Sequence, residues 1–197
     1  MTDFPEVYFL RHGQTEWNLQ GRFQGQKDSP LTALGRVQAE DQGRLLRALI
    51  ADWRAVDLWV SPLGRTRKTA EIALRNVPAM PEIVPELAEI NVGGWQGLRR
   101  AEIEKLEPRL ATGSQSERFE VYFSSPGGES YDAFSARIRQ VLEAAQRPTV
   151  IVAHGIVGCV LRGLWLGLER SQLAGLPGGQ GCIFHLKVGR EELLWQN

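Results

Sequence analysis

The sequence predicts an α/β fold: a single domain with a mainly parallel central sheet and helices on both faces. Three observations carry this. Apolar, β-branched runs alternate with segments of helical period along the chain. No repeat, low-complexity tract or interdomain linker divides the 197 residues, so one domain is expected over 1–197. Two apolar runs, 7–10 and 149–153, end at histidine followed by glycine, His12-Gly13 and His154-Gly155. Polar chemistry at the carboxyl end of a buried strand points to a site, because open α/β sheets bind ligands in the crevice beyond the strand ends.

The totals narrow the class. A chain this long buries roughly 70% of the surface it exposes when unfolded, so it needs no disulfide or metal staple. With 23 basic and 23 acidic residues the net charge is zero, which excludes a nucleic-acid or anionic-membrane binder driven by overall charge. No run has the length of a transmembrane helix and no signal peptide is visible, so a cytoplasmic protein is expected. Cys159 and Cys182 fall in apolar patterns without metal-ligand spacing to the histidines, and are read as buried small hydrophobes.

The first strand runs into Arg11-His12-Gly13, where a guanidinium suited to phosphate oxygens adjoins an imidazole able to act as base or nucleophile. A polar, Gly-punctuated loop continues to Asp28-Ser29-Pro30. Thr32 is a plausible N-cap for a helix to about residue 51, with Leu34, Val37, Leu45, Leu46 and Leu49 as its apolar stripe. The second strand, 57–60, ends at Ser61-Pro62, read as N-cap and first helical position of a helix over about 62–75. Arg65 then falls in the first turn, where free N–H groups already favour an anion.

A short strand at 83–84 leads to Glu89, an acid between apolar residues before Gly93-Gly94, and a candidate for a partly buried acid with a raised pKa. Residues 99–128 are the least regular part. A charged helix near Arg99 and a short one around 117–123 are broken by Pro108, Gly113 and Pro126-Gly127-Gly128, which suggests a variable segment covering a site. Phe119, Tyr122 and Phe123 are candidates to line a substrate pocket or to pack.

The helix from the Ser130 cap to about residue 145 is the most regular, repeating Phe134, Ile138, Val141, Leu142 and Ala145 on one face. The strand 149–153 is of the fully buried kind. A helix through Val157, Val160, Leu161 and Leu164 stops near Gly167. The chain closes with a hairpin of 182–188 and 192–195 about Gly189-Arg190, in which His185 is assigned no role.

If sheet order brings these ends together, Arg11, His12, Arg65, Glu89 and His154 share one site. Two guanidiniums can hold the oxygens of a phosphate monoester while an in-line imidazole attacks phosphorus. A carboxylic acid can protonate the leaving oxygen and then serve as base for water. No metal or cofactor is called for.

These residues carry a resemblance. Leu10-Arg11-His12-Gly13-Gln14-Thr15-Glu16-Trp17-Asn18 with Gly21-Arg22-Phe23-Gln24-Gly25 and Asp28-Ser29-Pro30-Leu31-Thr32 resembles the opening of the histidine phosphatase superfamily, in its phosphoglycerate-mutase-like branch. Ser61-Pro62-Leu63-Gly64-Arg65 through Thr69-Ala70 resembles the second phosphate-binding motif, and Glu89-Ile90 with Gly93-Gly94-Trp95-Gln96-Gly97 the acid loop. Pro126-Gly127-Gly128-Glu129-Ser130 and Val152-Ala153-His154-Gly155 resemble the last two. The resemblance implies that His12 becomes the phosphohistidine and Glu89 is the proton donor. It implies that Arg11, Arg65 and His154, with Gly155, Asn18 and Gln24, bind phosphate. A small phosphorylated metabolite is the implied partner. The chain is shorter than the usual mutase, the acid loop reads Glu-Ile-Asn, and no Trp-Arg-Arg clamp is found, which favours a phosphatase. A cofactor-dependent phosphoglycerate mutase and a non-catalytic phospholigand-binding module remain the alternatives, with Arg99-Arg100 a basic pair near the clamp region.

Overall fold

The computed structural model describes residues 4–195. In chain order its strands are β1 (Val7–Arg11), β2 (Asp57–Val60), β3 (Glu82–Ile83), β4 (Thr149–Ala153), β5 (Ile183–Lys187) and β6 (Arg190–Leu194). The helices are α1 (Glu16–Leu19), α2 (Ala33–Leu49), α3 (Gly64–Ala73), α4 (Arg100–Leu106), α5 (Arg109–Thr112), α6 (Gln115–Val121), α7 (Tyr131–Ala144) and α8 (Gly155–Leu166).

One sheet in the order β3-β2-β4-β1-β5-β6 organises the molecule. β1 to β4 are parallel where they pair, and β5 and β6 extend the sheet antiparallel. The fold is therefore the mainly parallel α/β sheet expected. β4 enters between β1 and β2 although it comes later in the chain, and all five of its residues are buried, as its continuous β-branched run requires.

Strand alternation divides the core in two. Phe9, Ile151 and Phe184 pack with Phe134, Ile138, Val157 and Leu161 of α7 and α8. Tyr8, Leu10, Val150 and Val152 pack with Leu46, Ala70 and Ala73 of α2 and α3. Helices thus cover both faces.

The apolar stripe expected for α2 is not its buried face. Leu34 and Val37 are about half exposed (51% and 49%), and the helix buries Gly35, Ala39, Gln42, Gly43 and Leu46. The reason is close approach: a Cβ on Gly35 would lie 2.0 Å from the Gln14 carbonyl oxygen, and one on Gly43 would lie 2.4 Å from that of Ala73. Small residues let α2 sit directly on the loop after β1 and on α3, which the hydrophobic pattern does not report.

Other boundaries shift for local reasons. The third strand is Glu82–Ile83, one residue earlier than expected. In the irregular segment Ser114 caps α6 through its side chain, starting that helix earlier than expected. Ser130 caps α7 as expected. The closing hairpin turns at Val188-Gly189, both with positive φ (49° and 71°), rather than at Gly189-Arg190. No disulfide joins Cys159, half-buried, to Cys182, buried; burial pushes both thiols up to about 11.

Candidate active site

Because β2, β4 and β1 are neighbours, their carboxyl ends meet. The His12 N–H donates to the Ala153 carbonyl and the Ser61 N–H to that of Val152, each at 3.0 Å. The fold thus brings His12, Ser61 and His154 to one edge, with the two imidazole rings 5.4 Å apart.

His12 is buried, and its Nδ1 lies 2.8 Å from the Gly13 carbonyl oxygen. A carbonyl only accepts, so Nδ1 carries the proton and Nε2 presents a lone pair. The Arg65 Nε lies 3.3 Å from that Nε2. Burial first, then the Arg65 and Arg11 charges, hold the ring well below the usual imidazole range, so it is neutral. His154 is held down by burial, Arg65, His12 and Arg11. Its Nε2 lies 2.6 Å from Ser61 Oγ, while its buried Nδ1 has no partner among the described residues. Ser61 is therefore engaged by His154 instead of capping a helix.

The start of α3 is accordingly different from the expected Ser-Pro cap. Its N-cap is Leu63, without a side-chain bond. The free N–H groups of Gly64 and Arg65 donate to the Asp28 carboxylate at 2.7 and 3.2 Å. The same carboxylate pairs with Arg65 Nη1 at 3.0 Å. Lys27 and Gly25 carbonyls accept from Nη1 and Nη2 at 2.7 Å, so the guanidinium is fixed on several sides. Arg11 lies against α8, where a Cβ on Gly155 would touch its Cζ at 3.4 Å. The Arg11 Nε is buried without a partner among the described residues. Burial draws both guanidiniums down, opposed chiefly by the charge of Glu89.

Glu89 does for α8 what Asp28 does for α3. The N-cap residue, His154, makes no side-chain cap bond. The Ile156 and Val157 N–H groups donate to the two Glu89 carboxylate oxygens at 3.2 Å, and the Ile90 N–H donates at 3.0 Å. Carboxylates from distant loops thus satisfy two helix starts beside two buried arginines.

Arg11, His12, Asn18, Gln24, Arg65, Glu89 and Gly155 line one cavity of about 410 Å³. Of the expected site residues His154 does not line it; it is fully buried, with its ring 5.4 Å from that of His12. Asn18 closes a capping box with Thr15, and its Oδ1 accepts from Thr15 and, at 3.1 Å, from Gln180 Nε2. Gln24 donates to Thr15 Oγ1 at 2.8 Å and accepts from Ser29. Of the three aromatics considered, Tyr122 lines this cavity, stacked on Phe23 at 5.0 Å. Phe119 lines a smaller neighbouring cavity, and Phe123 packs on Phe119, Tyr131 and Phe134.

Sequence reasoning missed Asp28, Ser61 and Gln180 as parts of this arrangement. Gln180 also approaches the His12 carbonyl at 3.3 Å. His185, given no role, stacks on Tyr8 and bonds Glu6 far from the cavity lining. Among the described residues no group of three or more His, Cys, Asp or Glu side chains could hold a metal ion, and no helix is long and apolar enough to cross a membrane.

Comparison with known proteins gives the family and the fold. The family model of the histidine phosphatase superfamily (branch 1) matches residues 7–196. A "Probable phosphoglycerate mutase GpmB" of Photorhabdus laumondii is 37% identical over 176 residues, 83% of this chain and 75% of that protein. The mycobacterial glucosyl-3-phosphoglycerate phosphatase, solved with VO3, superimposes with a TM-score of 0.78 at 29% identity, covering 97% of this chain and 98% of that one. The α-ribazole phosphatase of Shigella flexneri shares the fold at 24% identity, with a TM-score of 0.77 over 97% and 94% of the chains.

Proposed function

Because the chain belongs to the histidine phosphatase superfamily, we propose that it hydrolyses small phosphomonoesters through a phosphohistidine on His12, with Glu89 as proton donor. The observation that carries this reading is the state of His12: Nδ1–H tied to Gly13, ring neutral, and the Nε2 lone pair facing the Arg65 guanidinium, whose Nε–H donates to it at 3.3 Å. A neutral imidazole so fixed is a nucleophile that needs no deprotonation.

In the first step Nε2 forms a bond to phosphorus while the ester P–O bond breaks, and the Glu89 carboxyl gives its proton to the leaving oxygen. Arg11 and Arg65 hold the phosphoryl oxygens, the buried Arg11 Nε, unpartnered among the described residues, is a donor already stripped of water, and His154 joins them in the tautomer that carries its proton on Nδ1, with Ser61 Oγ–H donating to Nε2. Asn18, Gln24 and Gly155 complete the cradle. In the second step the Glu89 carboxylate takes a proton from water, whose oxygen attacks phosphorus and restores His12. The charge that a metal would neutralise is met by guanidiniums, so the reaction is metal-independent.

The cavity suits a phosphoryl group with a small leaving group, and residues 99–128, with Tyr122 at the wall, act as the substrate-covering segment. A phosphoglycerate mutase is the second reading, favoured by the name of the Photorhabdus relative. Phosphate release from a panel of small monoesters, with chelator present, tests the proposal. Release abolished by His12→Ala and inhibited by vanadate is expected. Phosphoryl transfer between phosphoglycerate hydroxyls without release would favour the mutase. Glu89→Gln is expected to slow alkyl esters at least about tenfold more than activated aryl esters, because only alkoxides need the proton.

A further inference from the structure

We infer that Glu129 and Arg137 form a clamp that positions Glu89 for proton transfer, a role that rests on the proton-donor reading above. The segment 126–130 lines no part of the cavity. It lies instead along the acid loop. The Glu129 N–H donates to the Asn91 carbonyl at 2.8 Å, and the Gly94 N–H donates to that of Pro126 at 2.9 Å. Contact is so close that a Cβ on Gly93 would lie 2.2 Å from the Pro126 carbonyl oxygen.

Arg137, on α7, completes the clamp. Its Nε and Nη2 donate to the two Glu129 carboxylate oxygens at 2.8 and 3.0 Å, and its guanidinium lies over the Phe134 ring at 4.4 Å. From that position Nη1 donates to the Glu86 carbonyl and Nη2 reaches the Glu89 carbonyl at 3.4 Å. Both side chains are mostly buried, 18% and 17% exposed, and the pairing is forked, so it differs from an exposed ion pair of little consequence. Among the described residues the acid loop has no strand partner at Glu89, and besides Arg137 the Glu89 carbonyl accepts from Gln26 Nε2 at 3.2 Å. The clamp fixes the loop backbone from one side while the first turn of α8 fixes the Glu89 carboxylate from the other. A shift of about 1 Å in a positioned proton donor is enough to slow transfer severely.

Glu129 and Arg137 are thus positioning residues, and their loss should copy the loss of Glu89 in kind. The test compares kcat/KM for an alkyl phosphate and for p-nitrophenyl phosphate in the parent, Glu129→Gln, Arg137→Lys, Glu89→Gln and the Glu129→Gln/Glu89→Gln double variant. Glu129→Gln is expected to lose at least about tenfold more on the alkyl than on the aryl ester. The double variant should lose no more than Glu89→Gln alone, within about twofold, because the clamp acts only through that residue. Arg137→Lys should show the same bias and stands in if Glu129→Gln fails to fold. No loss, equal losses on both esters, or losses that multiply with that of Glu89→Gln would overturn the clamp. A Glu89→Gln variant without ester bias would overturn the proton-donor reading itself, and the clamp with it.

Discussion

Asp28 joins the start of α3 to the Arg65 guanidinium, and removing its carboxylate should weaken both. In Asp28→Ala the Gly64 and Arg65 N–H groups lose their acceptor, and a lost helix cap costs about 1 kcal/mol. The Arg65 side chain is 1% exposed and Asp28 39%. Stripping a partner from a fully buried pair costs about 3–5 kcal/mol and from an exposed pair about 0–1 kcal/mol. Since Arg65 Nη1 retains the Lys27 carbonyl, we assign about 1–2 kcal/mol to the charge. The sum, about 2–3 kcal/mol, corresponds to a fall in Tm of about 4–12 °C for a chain of this size. Asp28→Asn keeps an acceptor for the helix N–H groups and should lose only the charge part, about 1–2 kcal/mol. Thermal and denaturant melts of the three proteins measure this. An Asp28→Ala protein melting within about 1 °C of the parent would refute the reasoning, because among the described residues no other side chain caps α3.

The two site histidines set an acid limit on stability. Both are held below the usual imidazole range, so below about pH 6.5 the unfolded chain binds protons that the folded chain refuses. Stability therefore falls with decreasing pH in that window, by up to about 1.4 kcal/mol per pH unit for each ring, and neither ring contributes above it. Denaturation of His12→Asn between about pH 6.5 and 5.5 should show a slope shallower than the parent's by about 1 kcal/mol per pH unit; an identical slope would contradict the assignment. At the hairpin, Val188 holds φ at 49° on an 82% exposed side chain. A β-branched residue is strained there and Asn is not, so Val188→Asn should raise stability by about 1 kcal/mol in a urea titration. A fall would show that Val188 packs in a way its exposure conceals.

The strands and the α7 face were legible because their signals are local. The run 149–153 is apolar throughout since β4 is enclosed by neighbours on both sides and helices on both faces. The reading of α2 failed where contact is made through missing atoms: Gly35 and Gly43 mark backbone against backbone, and hydrophobicity assigns them nothing. The individual site residues were visible at strand ends, but their convergence depends on β4 entering between β1 and β2, which no single segment encodes. Ser61 was read as a helix cap and Asp28 was given no role for one reason. Each meets its partner across a long sequence interval, Asp28 with Gly64 and Ser61 with His154, which local capping rules do not reach. Gln180 reaches His12 and Asn18 from a Gly-rich stretch that carries no motif.

The most direct test of the account is the chemical state of His12 during turnover. The protein is mixed with a turning-over phosphomonoester, quenched in alkali where phosphohistidine survives, digested, and the peptide spanning 7–18 weighed. The account predicts a peptide heavier by one PO3 group, with the label on His12, lost in acid and absent from His12→Asn. Turnover of the ester with that peptide unmodified, or with the label on another residue, would contradict it.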